Sequence, residues 1–311
     1  MIYDTVIIGS GPAGLSAAIY ARRARLSVVV AEKEGIGAGQ ISESEQVENY
    51  PGLYGENGFE LGEKFRLHAR TLGTPFSEGE VIEVKKEGGI FLSVFSNGAV
   101  LESKTVIYAA GASHRRLNVT GEDRLRGKGV SYCATCDGPL YKGKTVAVIG
   151  GGDTALGEAL FLEKIAQTVY LIHRRAQFRA NPTLRERIRL SERIRTVTEA
   201  VVTEILGETK VSDLRIERKG REELLPVDGI FAAVGMIPNT AAVKPLVSLD
   251  ESGYIIADET GVTSVEGFFA AGDVRTKQLR QVVTAVSDGA NCVASVLEYL
   301  DRGTPKPTER S

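Results

Sequence analysis

Short apolar strands, glycine turns and helical stretches follow one another along this chain, and the pattern predicts alternating strands and helices. Tyr3-Asp4-Thr5-Val6-Ile7-Ile8 reads as a strand. It runs into Gly9-Ser10-Gly11-Pro12-Ala13-Gly14 and then into the helical Leu15-Ser16-Ala17-Ala18-Ile19-Tyr20. A second strand, Ser27-Val28-Val29-Val30-Ala31, ends at Glu32, 23 residues past Gly9. Strand, glycine turn, helix, strand and acid in this order make a dinucleotide-binding βαβ unit. Gly9 permits the tight turn, Gly11 lets backbone approach a pyrophosphate, and Gly14 lets the helix pack closely on the strand. The helix N-terminus then faces the phosphates. Glu32 would accept hydrogen bonds from a ribose and repel a 2′-phosphate, so this first site suits FAD or NAD(H). Packing alone also produces glycine turns, but here all five parts agree.

The pattern returns at Lys144-Thr145-Val146-Ala147-Val148-Ile149, followed by Gly150-Gly151-Gly152-Asp153-Thr154-Ala155 and a helical stretch through Leu160-Phe161-Leu162. Alanine replaces the third glycine, which the fingerprint tolerates. The next strand, Thr168-Val169-Tyr170-Leu171-Ile172, reaches His173-Arg174-Arg175 at the same interval of 23, with Arg179 following. Arginines in place of the acid reverse the preference, because guanidinium groups grip a phosphate dianion in bidentate fashion. The second site is therefore expected to take NADPH. A solvated basic face is the bland alternative for Arg174 and Arg175, and His173 could simply lie beside the adenine.

The second unit reads as inserted, since Thr263 to Asp273 looks like a strand ending in glycine and acid, with a helical run soon after. That segment resembles the distal half of the first nucleotide site. Asp273 could accept a hydrogen bond from a ribityl hydroxyl or be an ordinary loop aspartate. Turn signals near Gly111-Ala112-Ser113 and near Gly235-Met236-Ile237-Pro238-Asn239-Thr240 mark the two connectors. The expected fold is α/β, two Rossmann-like three-layer domains with the NADPH domain (114–241) inserted in an FAD domain (1–113 and 242–311). The polar, proline-bearing tail from Arg302 to Ser311 is expected to fray.

With 311 residues the chain has room for two such domains. Thirty-eight basic against 40 acidic residues, a net charge of −2, give none of the positive excess that nucleic acid binding requires. The apolar runs are too short to span a bilayer and no basic segment leads an apolar one at the start, which suits a cytoplasmic protein.

Three cysteines are too few for a secreted disulfide framework. Cys292 lies in the apolar Ala290-Asn291-Cys292-Val293-Ala294 and is expected to be a buried free thiol. Cys133-Ala134-Thr135-Cys136 has the spacing of a redox pair, in which a helix start lowers one thiol pKa. Half a zinc site is the rival, but no second ligand pair stands at zinc spacing, so no metal is expected. Asp137 could donate or accept the proton that thiol–disulfide exchange moves, or be a solvated turn aspartate. A nicotinamide, a flavin and a disulfide together select one reaction class, NADPH to FAD to Cys133–Cys136 to an external disulfide.

The ordered set closely resembles the low-molecular-weight thioredoxin reductases over essentially the whole chain. It comprises Gly9 to Gly14, Ala38-Gly39-Gln40, Val47-Glu48-Asn49-Tyr50-Pro51-Gly52, Cys133 to Gly138, Gly150 to Ala155, His173-Arg174-Arg175 with Phe178-Arg179-Ala180, and Gly272-Asp273-Val274 with Arg280-Gln281. The resemblance implies that FAD is held by Gly9, Ser10, Gly11, Pro12, Ala13, Gly14, Glu32, Lys33, Gly39, Gln40, Asn49, Val81, Gly111, Gly272, Asp273, Arg280, Gln281 and Val282. It implies NADPH contacts at Gly150, Gly152, Asp153, Thr154, Ala155, His173, Arg174, Arg175 and Arg179. It also implies a homodimer, a flavin-facing Cys136, a Cys133 that attacks the thioredoxin disulfide, Asp137 as acid–base partner, and connectors that act as hinges.

The resemblance implies thioredoxin or a thioredoxin-fold protein as partner; where relatives often have two aromatic residues after Asp137-Gly138, this chain has Pro139-Leu140, a departure at the docking surface that points to an atypical thioredoxin or a glutaredoxin-like protein. Gly157 and Ala176 replace a usual glutamate and aspartate. The enzymatic alternative is a flavin disulfide reductase fed by another donor, such as ferredoxin, or a dithiol oxidase. The non-enzymatic alternative is a nucleotide-binding redox sensor.

Overall fold

Val28, Val29, Val30 and Ala31 are all buried, so this strand shows no alternation of apolar and polar positions, as expected of a parallel strand covered on both faces. The computed structural model describes residues 1–33, 38–44 and 46–302. The tail expectation, from residue 303 on, lies outside the described residues.

In chain order come β1 (Ile2–Ile8), α1 (Pro12–Arg23), β2 (Val28–Glu32), α2 (Gly58–Thr71), β3 (Phe76–Glu78), β4 (Val81–Glu87), β5 (Ile90–Phe95) and β6 (Val100–Tyr108). After the connector strand β7 (Ala112–His114) follow β8 (Val130–Ser131), α3 (Ala134–Asp137), β9 (Thr145–Gly150), α4 (Asp153–Leu162), β10 (Thr168–His173), α5 (Pro182–Leu190) and β11 (Ile194–Thr198). Then come β12 (Ala200–Leu206), β13 (Asp213–Arg218), β14 (Arg221–Pro226) and β15 (Gly229–Ala233). The second connector strand, β16 (Met236–Pro238), leads to β17 (Phe268–Ala270) and α6 (Val282–Arg302).

These elements form two units, Met1–Ser44 with Tyr50–Ser113 and Ile237–Ser311, and Glu45–Asn49 with His114–Met236. Residues 237–241 group with the first unit. There Asn239 donates its amide to the Gly111 carbonyl at 3.0 Å, and its Nδ2 donates to the Ala110 carbonyl at 2.9 Å.

In the first unit β3, β2, β1, β6 and β17 are parallel neighbours in that order. The long β6 shares one edge between two partners: β5 pairs antiparallel with its first half and β17 parallel with its second. One sheet face carries α1 and α6 over Ile7, Val28, Val30 and Ile107. The other buries Val6, Val29, Phe91, Phe95 and Phe268. The strand expected from Thr263 is confined to β17. Gly267 turns the backbone at φ 82°, and the Thr263 hydroxyl donates to the Phe268 carbonyl at 2.7 Å, which folds the preceding residues into a turn.

The second unit repeats the plan with a parallel sheet ordered β11, β10, β9, β15, β8. Helices α4 and α5 cover one face, and the antiparallel β12-β13-β14 the other. Each unit thus has three layers around a parallel sheet, the α/β arrangement expected. Asn181 starts α5 by accepting the Leu184 amide at 3.0 Å, and Pro182 takes the first helical position, where no amide is needed.

Candidate active site

In the first unit the glycine turn is fixed by atoms that leave no room. Gly9 has φ 105° and donates to the Ala31 carbonyl at 2.9 Å; a Cβ on Gly14 would stand 1.9 Å from the Gly9 carbonyl oxygen. Gly11 differs, because a Cβ there would meet nothing nearer than 3.9 Å. Its open side leaves room that could hold a pyrophosphate. The Ser10 amide donates to a Glu32 carboxylate oxygen at 2.8 Å, and the Ser10 hydroxyl bonds the same oxygen, so the acid reaches the mouth of the turn. A Cβ on Gly39 would stand 3.1 Å from the Gly11 Cα, and the Ala38 amide donates to the Ser10 carbonyl at 3.2 Å. Lys33 is exposed and pairs with Glu80 at 2.9 Å.

The distal segment joins this turn. A Cβ on Gly272 would stand 2.9 Å from the Ala13 methyl carbon. Asp273 is largely buried, its Oδ1 has no hydrogen-bond partner among the described residues, and burial pushes its carboxyl above the usual range. Arg280 lies 4.2 Å over the Tyr254 ring, and its buried Nε also finds no partner among the described residues. An orphan acceptor and an orphan donor beside an open glycine turn fit a ligand with hydroxyls and ring acceptors, and FAD has both. Gln281 and Val282 stand at the start of α6, Val81 starts β4, and Gly111 sits at φ 67° before the connector strand. Asn49 is grouped with the second unit.

Sequence reading missed Arg275, Lys277 and Asp288. These form a buried ion cluster in which Asp288 also accepts the Gly272 amide at 2.8 Å. The signal was there: Asp288 stands three after Ala285 and four before Cys292, on the apolar stripe of a helix. Cys292 is fully buried, and its thiol is pushed up to about 12 by burial.

In the second unit Gly150 would place a Cβ 2.4 Å from the Ala233 carbonyl oxygen, whereas Gly152 faces open space. Asp153 opens α4 and accepts the Asn181 amide at 2.7 Å, while the Arg179 amide donates to the Gly151 carbonyl at 2.7 Å. These two bonds staple the arginine segment over the glycine turn. His173 ends β10, buried and stacked on Phe178 at 5.4 Å between ring centres. Burial first, then Arg179, Arg175 and Arg174, hold its pKa below the ordinary value. Arg174, Arg175 and Arg179 are exposed, a cationic rim free to meet a phosphate dianion. Thr154 and Ala155 fall in the first turn of α4.

Cys133 and Cys136 are joined as a disulfide with their Cα atoms 5.3 Å apart. Cys133 caps α3; its carbonyl accepts the Cys136 amide at 3.2 Å and the Asp137 amide at 3.1 Å. Just before it, the Tyr132 hydroxyl donates to the buried Glu122 at 2.7 Å, and the ring stacks on His114 at 4.9 Å. A redox-capable pair on a short helical turn, flanked by an acid, can cycle between disulfide and dithiol.

The chain matches the family model described as pyridine nucleotide-disulphide oxidoreductase over residues 3–289. It is 40% identical over 303 residues to a thioredoxin reductase of Listeria innocua, covering 96% of this chain and 94% of that protein. With a thioredoxin reductase of Bacillus subtilis the identity is 41% over 303 residues, covering 96% and 95%. The crystal structure of a thioredoxin reductase from Streptococcus pyogenes superposes with a TM-score of 0.93 at 41% identity, covering 97% of this chain and 99% of that one.

Proposed function

The chain belongs to the pyridine nucleotide-disulphide oxidoreductases, and within them to the bacterial-type thioredoxin reductases; from that premise we propose that it reduces thioredoxin, or a thioredoxin-like protein, at the expense of NADPH. The observation that carries this reading is the Cys133–Cys136 disulfide in a chain with two dinucleotide turns, one marked by Glu32 and one by Arg174 and Arg175. The first turn with Asp273 and Arg280 is the place for FAD, which when bound accepts a hydride from NADPH and passes an electron pair to a disulfide. The second turn, with His173, Arg174, Arg175 and Arg179, is the place for NADPH.

The chemistry of the pair follows. Two electrons and two protons break the Cys133–Cys136 bond and leave a dithiol. Cys133, as thiolate, attacks the partner's disulfide; a mixed disulfide forms and one partner thiolate leaves with a proton from Asp137. Cys136 then attacks the Cys133 sulfur, releases the second partner thiol and restores the disulfide. Cys136 takes the flavin-facing role. The working form is a homodimer in a reducing, cytoplasmic setting. Among the described residues no helix is long and apolar enough to cross a membrane.

The test is NADPH oxidation by the FAD-loaded protein with a panel of thioredoxin-fold disulfides. The native chain is expected to turn over many times, with Cys133→Ser and Cys136→Ser losing at least a hundredfold. Undiminished turnover in either variant would refute the assignment.

A further inference from the structure

The Tyr254 ring is carried on backbone that is fixed on both sides of it. Before it, Asp250 closes a tight turn: its amide donates to the Tyr254 carbonyl at 2.9 Å, and its Oδ1 accepts the amides of Ser252 and Tyr254, both at 2.9 Å. Gly253 supplies the left-handed step of that turn at φ 89°, and its carbonyl accepts the Thr240 hydroxyl at 3.0 Å. After it, the buried Ile255 donates its amide to the Val274 carbonyl at 3.0 Å and accepts the Thr276 amide at 2.9 Å. These two bonds lay the backbone that bears Tyr254 along the segment that bears Asp273.

Arg280 is held against this ring. Its Cζ stands 4.2 Å from the ring centre, within reach of cation–π attraction, and its Nη2 donates to the Arg275 carbonyl at 3.3 Å. The ring and that carbonyl together fix the guanidinium. Its Nε stays shielded from solvent with no partner among the described residues, and so does the Asp273 Oδ1. An arginine and an aspartate in one partly dehydrated site attract each other, yet these two atoms take no partner, each other included. A guanidinium fixed in its plane cannot turn freely to the carboxylate, so both atoms are kept open for a ligand.

We infer that Tyr254 is a positioning residue of the flavin site, which acts by holding the Arg280 guanidinium ready for the cofactor. The inference rests on the reading of this site as the place for FAD, and it gives Tyr254 no contact with FAD. Arginine has a long side chain with several rotatable bonds, and ordering it during binding costs affinity. A ring that orders it beforehand removes that cost from the binding step. Tyr254 and Arg280 therefore act on FAD affinity as one unit. The face of the ring makes the contact, so phenylalanine at this position keeps it and an aliphatic side chain does not.

The experiment titrates FAD into the flavin-stripped full chain and follows the change in flavin fluorescence on binding. Tyr254→Phe should bind FAD within twofold of the native chain. Tyr254→Leu should bind about five- to thirtyfold more weakly, the loss expected for one desolvated cation–π contact. Tyr254→Met, of similar size and also without a π face, is run beside it, so that a leucine variant that fails to fold leaves the test intact. Each aromatic-to-aliphatic change is then repeated in an Arg280→Ala chain, where it should cost less than twofold, because no guanidinium remains to be held.

An equal loss with and without Arg280 would overturn the positioning role, since Tyr254 would then support the fold and not the guanidinium. Native affinity in the aliphatic variants would overturn it as well, and so would a Tyr254→Phe chain as weak as they are. A native chain that takes up no FAD would overturn the reading of the site, and this inference with it.

Discussion

Asp288 grips Arg275 at two points, Oδ1 to Nη2 at 2.8 Å and Oδ2 to Nε at 2.9 Å, with both side chains 2% exposed. The same carboxylate holds Lys277 at 2.9 Å and the Gly272 amide at 2.8 Å. Asp288→Ala would take their shared acceptor from Lys277 and the Gly272 amide and leave Arg275 with Glu259 and the Ala257 and Thr276 carbonyls, at a cost of about 3–5 kcal/mol. Urea unfolding of the first unit's transition is expected to show that loss, and desalting to strip FAD from the variant but not from the native chain. An unchanged midpoint would sink the argument.

The two glycines of the first turn should separate folding from binding. Gly14→Ala drives a methyl against the Gly9 carbonyl oxygen and is expected to give insoluble or flavin-free protein. Gly11→Ala meets only atoms at 3.9 Å, so the circular dichroism and melting of the FAD-free protein should stay native while FAD affinity falls. The comparison needs both measurements, because flavin loss alone follows from either change.

Coenzyme selection should sit in the exposed arginines. Replacing Arg174 and Arg175 by alanine would remove the charge-assisted contacts proposed for a 2′-phosphate, each contributing about 1.5–3 kcal/mol. KM for NADPH should rise by roughly ten- to a hundredfold per residue and KM for NADH by less than twofold. A parallel rise for both coenzymes would return the arginines to the role of a solvated face.

His114 gives the second unit an acid-sensitive term. Burial first and the charge of Arg126 second hold its pKa down to about 4 in the folded chain, against about 6.5 when unfolded. Between those values the unfolded chain binds the proton and the folded chain does not, so stability falls as pH drops from 6.5 towards 4, by up to about 3 kcal/mol. His114→Phe keeps the stack on Tyr132 and should flatten the stability-versus-pH curve in that window; the native slope persisting in the variant would assign it elsewhere.

Much of this was legible in the chain. The turns at Gly9 to Gly14 and Gly150 to Ala155 could be read because local sterics admit few residues there, and the acid at Glu32 and the arginines at Arg174 and Arg175 because charge at a strand tip has few structural reasons. Asp288 carried a weaker signal, a carboxylate on an apolar helical stripe, which shows burial but not the partner. The Asp288 cluster joins residues that tertiary packing brings together, and periodicity holds no such information. The strand expected from Thr263 shrank to β17 because a side-chain hydrogen bond, to which apolar periodicity is blind, turned the backbone at Gly267. Tyr254 under Arg280 belongs with these, since nothing in the spacing of the two ties a ring to a guanidinium.

The connectors carry one more consequence. Within the second unit the Arg115 amide donates to the Gly235 carbonyl at 2.9 Å, and within the first the Asn239 amide donates to the Gly111 carbonyl at 3.0 Å. At these two connectors each unit therefore closes its chain ends across a single hydrogen-bonded step. An insertion built in this way is a cassette: its removal leaves a gap that a short linker can bridge, and its ends are near enough to be sealed in turn. Exchange of such a segment between chains would ask little of either host, so the two dinucleotide units are free to have separate histories.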